Sequence, residues 1–186
     1  LVIELVTSAK QTEEEGVKTA MLNALLEVVG KAGSKLNEAS KKNIVKLVEE
    51  EMLSSNDKLA VAYAKLIGSL SEILSEDEAK NILQEKVLDA DMEGSAGKFA
   101  VLILNSFLKD APSHIFSSGE IHKFVKFITD AMTSTNVHFV ENATLAAGKL
   151  LLLHKETKSP YTNMKNDVTF IVPEEDIKSL VEELAK

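Results

Sequence analysis

The chain holds four histidines, His114, His122, His138 and His154, and no cysteine. Zinc sites on helices place two imidazoles three or four residues apart, as in His-Glu-x-x-His, and none of the four is so spaced. They read as turn or helix-end histidines, and no metal is expected. Gly94-Ser95-Ala96-Gly97-Lys98 has a superficial likeness to a phosphate-cradling loop. It lacks both the preceding strand and the spacer before a Gly-Lys-Ser/Thr ending, so no nucleotide cofactor is expected. Serine, histidine and aspartate all occur, but none in a nucleophile-elbow frame. Asn142-Ala143-Thr144 matches a glycosylation triplet but falls inside a predicted helix, so it reads as chance. Adjacent acids such as Glu49 and Glu50 read as surface charge rather than as an acid–base pair. The absence of cysteine excludes a disulfide framework, a thiolate metal site and a cysteine nucleophile. No catalytic residue is expected.

The charge is one-sided. Net charge is −8, and every one of the 21 basic residues is a lysine. The runs Glu13 to Glu15, Glu49 to Glu51 and Glu174 to Asp176 read as solvated helix faces. Nucleic-acid binders gather basic residues on one face, so direct nucleic-acid binding is not expected. No apolar run reaches the ~18 residues of a membrane span, and no signal peptide opens the chain.

These residues must be positioned by elements organised around residues 56 to 74. Asn56 caps a helix there, Asp57 follows in its first turn, and Ala60, Ala64 and Gly68 line one stripe. A helix-interior glycine costs about 1 kcal/mol against alanine, so Gly68 implies close approach of a neighbouring helix. Gly30, Gly68, Ser106 and Gly148 align without gaps, with Ala24, Ala62, Ala100 and Asn142 six places earlier. A period of about 40 residues with two helices per period marks HEAT or armadillo arrays. The expected fold is all-α: a right-handed superhelical α-solenoid of antiparallel helix pairs. Residues 1–186 are expected to form one segment of about four repeats. Leu1 sits inside an apolar run and the closing helix looks cut mid-stride, so the segment reads as a piece of a longer array. A chain of this size buries roughly 70% of its unfolded surface, and 45% hydrophobic residues suffice for one core.

In chain order, Thr12 and Glu15 match a capping box before a helix from Glu13 to about Lys31. Its apolar stripe is Val17, Met21, Leu25 and Val28, and Gly33 would end it in a left-handed cap. A helix from about Glu38 to Leu53 turns Ile44, Leu47, Val48 and Met52 inward. Ser75 and Glu78 open another, to Leu88, with Ala79, Ile82, Leu83 and Val87 inside. The apolar helix Phe99 to Leu108 is broken by Pro112. The next starts at Ser118 or Gly119 with Ile121, Phe124, Val125, Ile128 and Met132 on one face, and Asn136 caps the last long helix. Segment 155 to 172 exceeds the usual interhelix loop, and its stretch Val168 to Val172 reads as extended. Pro173 at a first helical position opens the closing helix.

The blocks Glu14-Glu15-Gly16-Val17-Lys18-Thr19-Ala20-Met21-Leu22-Asn23-Ala24-Leu25, Val29-Gly30-Lys31-Ala32-Gly33 and Leu36-Asn37-Glu38-Ala39-Ser40-Lys41-Lys42 carry a resemblance, as does Ala143 to Leu150. Over essentially the whole chain they resemble the C-terminal part of the large eukaryotic HEAT-repeat translational activator of general amino-acid control, in a fungal version. The resemblance implies a cytoplasmic, ribosome-associated scaffold of the integrated stress response, without enzymatic activity. It would activate, in amino-acid starvation, the kinase that phosphorylates the alpha subunit of translation initiation factor two. It implies as partners the kinase's RWD domain and competing RWD-domain proteins, with the ribosome met through other parts of the protein. For such a partner the chain offers Lys41, Lys42 and Lys46 on one helix and Lys123 and Lys126 on another. An alternative is a generic HEAT or armadillo adaptor for extended peptides or another protein. Such adaptors carry rows of Asn and Trp, whereas this chain has no Trp and only Asn105 and Asn142 near the register.

Overall fold

The computed structural model describes residues 1–52, 55–92, 95–157 and 170–186, and every regular element among them is helical. The order is α1 (Val2–Gln11), α2 (Glu15–Ala32), α3 (Glu38–Glu51), α4 (Asp57–Ser71), α5 (Glu76–Leu83), α6 (Ser95–Asp110), α7 (Pro112–Ser117), α8 (Ile121–Met132), α9 (Val137–Thr157) and α10 (Glu174–Leu184). The all-α expectation holds. Gly30, Gly68, Ser106 and Gly148 fall on four separate helices, α2, α4, α6 and α9.

The chain divides into two compact units, Leu1–Ser75 and Glu76–Lys186. In the first, α2 packs on α1 and α4, and α3 packs on α1 and α4. Ile44, Leu47, Val48 and Met52 are all buried, as the periodicity of α3 requires. The stripe of α2 is rotated by one residue from the expected one. Leu22, Leu25 and Val29 are buried, while Val17, Met21 and Val28 are half-buried. In α4 the small residues Ala60, Ala64 and Gly68 are buried beside Tyr63, Leu66, Ile67 and Leu70. In the second unit, α9 packs on α6 and α8, α7 on α5 and α6, and α10 on α8 and α9. Ala79, Ile82, Leu83 and Val87 are buried as expected.

Asparagine opens three helices. The Asn56 side chain accepts from the Leu59 N–H at 3.0 Å, and Asn37 accepts from the Ser40 N–H at 2.9 Å. Asn136 accepts from the N–H groups of His138 at 3.1 Å and Phe139 at 3.3 Å. Each satisfies backbone donors that a helix start leaves free, worth about 1 kcal/mol.

Other boundaries differ from expectation. Thr12 does not cap α2, which starts at Glu15; its hydroxyl accepts from the Glu14 N–H at 3.3 Å in the turn after α1. Gly33 is not left-handed. With φ −56° and ψ −42° it starts a short 3₁₀ turn, Gly33–Lys35. A Cβ there would lie 3.0 Å from Ile73 Cδ1, so its lack of a side chain serves close approach to the chain after α4. The left-handed position is Gly119, with φ +74°. The helix expected to reach Leu88 is α-helical only to Leu83 and continues as a π turn, Gln84–Leu88. Pro112 breaks α6 as expected but also starts the short α7. Pro173 stands one place earlier than expected, as the N-cap of α10. Most of segment 155 to 172, including Val168 and Thr169, lies outside the described residues. Phe170 to Val172 carry no regular element, and the buried Val172 donates its N–H to His154 Nδ1 at 3.1 Å.

Candidate protein-binding surfaces

The five lysines expected to meet a partner stand on two helices, one in each unit. On α3, the Lys41 ammonium lies 2.8 Å from Glu38 Oε1 and 3.5 Å from the Ile73 carbonyl oxygen. Lys46 lies 3.6 Å from Glu50, which Lys10 also holds. That hydrogen bond from Lys10 keeps the Glu50 carboxyl below the usual carboxylate range. Lys42 is exposed and has no ion pair among the described residues. On α8, Lys123 pairs with Glu120 at 2.9 Å and Lys126 with Asp130 at 2.7 Å. Four of the five thus have a carboxylate on or beside their own helix. Exposed pairs of this kind contribute about 0–1 kcal/mol, so a partner's carboxylates could replace them with little loss.

The register positions do not share one role. Gly68 is buried within α4 and Ser106 is half-buried in α6. Gly30 is exposed and Gly148 only half-buried, and a Cβ at either would meet nothing within 4 Å. Close helix approach therefore explains neither of these two glycines. Close approach occurs instead to turns: at Gly33 to Ile73 after α4, and at Gly97, where a Cβ would come within 2.9 Å of Met92 Cα before α6.

The histidines take structural places. His122 Nδ1 lies 2.8 Å from Asp176 Oδ1 and so joins α8 to α10. His138 lies 3.3 Å from Glu141, and the His114 ring meets Phe107 edge-on at 6.4 Å. Among the described residues no three His, Asp or Glu side chains could hold a metal ion, and no helix is long and apolar enough to cross a membrane. An open hollow of about 390 Å³ at the start of α9 is lined by Ser134, Thr135, Val137, Val140, Glu141 and Thr144, an almost wholly apolar surface.

One constellation was not expected. Between α6 and α9, Asn105 is 6% exposed and donates from Nδ2 to the Asn142 carbonyl at 2.8 Å. Lys149 on α9 donates to the Asn105 carbonyl at 3.0 Å. Burial first, and the charge of Lys109 second, hold the Lys149 pKa below its usual value, with Asp110 opposing. The available signal was a single lysine inside the apolar run Leu145 to Leu153.

The family described as "Stalled ribosome sensor GCN1-like, HEAT repeats" matches residues 1–185. The chain is 66% identical over its full 186 residues to the eIF-2-alpha kinase activator GCN1 of Saccharomyces cerevisiae. It is 29% identical over 169 residues, 90% of its length, to Protein ILITYHIA of Arabidopsis thaliana. It is 26% identical over 191 residues, 99% of its length, to the human stalled ribosome sensor GCN1. It spans only 7%, 6% and 7% of the length of these relatives, respectively. No solved structure matches it. With a match over residues 1–185, the chain belongs to the GCN1-like HEAT-repeat family of stalled ribosome sensors.

Proposed function

We propose that this chain is a non-enzymatic scaffold segment of translational control that binds the RWD domain of the kinase acting on the alpha subunit of initiation factor two. Competing RWD-domain proteins would occupy the same surface, and stalled ribosomes, met through other parts of a longer cytoplasmic protein, would be coupled to kinase activation. The observation that carries this reading is 66% identity across the whole chain to a protein named for activating that kinase. Lys46, Lys123 and Lys126 support it, because their carboxylate partners are weakly held, and Lys42 supports it because it is exposed with no ion pair among the described residues. HEAT-like stacking would extend beyond this one segment, each helix pair burying its apolar face on the next.

A role as an adaptor for extended peptides would need outward-turned asparagines. Here the Asn105 amide is buried against Asn142, and the Asn142 amide donates to the His138 carbonyl at 2.7 Å. The test is biolayer interferometry with the isolated RWD domain against wild type, the pair Lys42→Glu and Lys46→Glu, and the pair Lys123→Glu and Lys126→Glu. Loss of binding in either pair with unchanged circular dichroism supports the reading and selects the face. Equal binding by both pairs would remove these lysines from the interface.

A further inference from the structure

The chain carries 29 acidic residues against 21 lysines, so acids are available to neutralise every cation. Among the described residues Lys149 nevertheless has no acid within ion-pair distance. Its ammonium is half-buried in the seam between α6 and α9, its hydrogen bond goes to the Asn105 main-chain carbonyl at 3.0 Å, and no carboxylate lies within 4 Å among the described residues. Lys109, one turn along α6 from Asn105, adds a second positive charge that Lys149 feels, and its effect exceeds that of the Asp110 carboxylate, which opposes it. Lys109 is 71% exposed, and its own acid is the adjacent Asp110 at 3.5 Å. An ammonium has three donors, and one is used here. A partly desolvated cation that also feels a like charge is held in an unfavourable state that a carboxylate would relieve.

Asn105 fixes the position of this cation. Its Nδ2 ties it to α9 through the Asn142 carbonyl at 2.8 Å, and its buried Oδ1 has no partner among the described residues. The acceptor of the Lys149 hydrogen bond is therefore a carbonyl anchored between both helices.

We infer that the α6–α9 seam at Lys149 is a carboxylate-accepting contact point, which takes an Asp or Glu side chain of a folded protein partner with Lys109 as the second cation. The charge complementarity commits it to an acidic protein surface. For the identity of that partner it rests on the reading above, and for its chemistry it does not.

The test combines two probes on the 186-residue chain. In the first, the isolated RWD domain is titrated against wild type, Lys149→Met, Lys149→Arg and the control Lys42→Met. Lys149→Met should weaken binding about tenfold or more, the loss of one partly desolvated charged contact. Lys149→Arg should stay within about threefold of wild type, since it keeps the charge. Lys149→Met should also melt no lower than wild type, which separates a binding role from a structural one. In the second probe, a short blocked Asp/Glu peptide is added while lysine side-chain ammonium resonances are followed by NMR. Lys149 should respond at peptide concentrations that leave Lys42 unmoved.

Undiminished RWD binding by Lys149→Met overturns the inference and leaves the scaffold reading standing. Failure of wild type to bind the RWD domain overturns the scaffold reading, and the peptide probe then decides. A Lys149 response no larger than that of Lys42 overturns the carboxylate site.

Discussion

At the level of single residues, Gly30 and Gly97 serve opposite purposes. Gly30 lies in the interior of α2 with open space where a Cβ would stand, so it contributes nothing but unfolded-state freedom. Gly30→Ala should raise stability by about 0.5–1 kcal/mol. A urea titration that finds the midpoint unchanged or lowered would contradict this. At Gly97 the added Cβ would press on the backbone of Met92 at 2.9 Å, which cannot rotate away. Gly97→Ala should therefore lower stability by about 1–3 kcal/mol, read from the same midpoint. Tyr63 offers a third case. It is fully buried, its hydroxyl has no partner among the described residues, and burial first and Glu51 second push its pKa above the usual phenol range. Removing an unsatisfied buried hydroxyl while keeping the ring is neutral or favourable. Tyr63→Phe should be at least as stable as wild type; a clear fall in melting temperature would reveal a partner that the hydroxyl needs.

At the scale of elements, what the sequence makes legible is local. Asn56 and Asn136 precede apolar-periodic runs, and each caps the helix expected of it. Asn56→Ala should therefore cost about 1 kcal/mol, measurable as a lowered urea midpoint with unchanged slope. Asn37 does the same for α3 without having been singled out. The apolar stripes of α3, α4 and α5 are legible for the same reason, because each helix writes its own buried face into its period. What was not legible depends on residues far apart in sequence. Gly33 follows a helix, which locally suggests a left-handed cap, but its neighbour Ile73 lies far along the chain, in the turn after α4, and the geometry is right-handed. The π turn at Gln84–Leu88 leaves no composition signal either. The Lys149 seam lies between these extremes. A lone lysine in an apolar run is visible, but that its ammonium would reach the Asn105 carbonyl depends on how α6 meets α9.

At the scale of the whole molecule, the arrangement of charge is better evidence of role than its total. With net charge −8, the chain still leaves Lys42 without an ion pair and Lys149 without a carboxylate at ion-pair distance among the described residues. The folded-state pKa of Lys149 is lowered, burial being the main cause, so its charged form is disfavoured on folding. At any pH where both folded and unfolded chains carry that charge, the ammonium reduces stability, and the reduction fades as pH rises above the folded pKa. Lys149→Met should thus melt higher than wild type near pH 7, and the difference should shrink in alkaline solution. A difference that grows with pH would contradict the assignment of burial as the cause.

Whether this HEAT-repeat segment is a scaffold surface for an RWD domain is decided by calorimetric titration with the kinase's isolated RWD domain at low and physiological salt. Binding should be saturable and weaken as salt rises, because exposed and half-buried lysines would supply the contact. A folded chain that gives no heat of binding at either salt would contradict it.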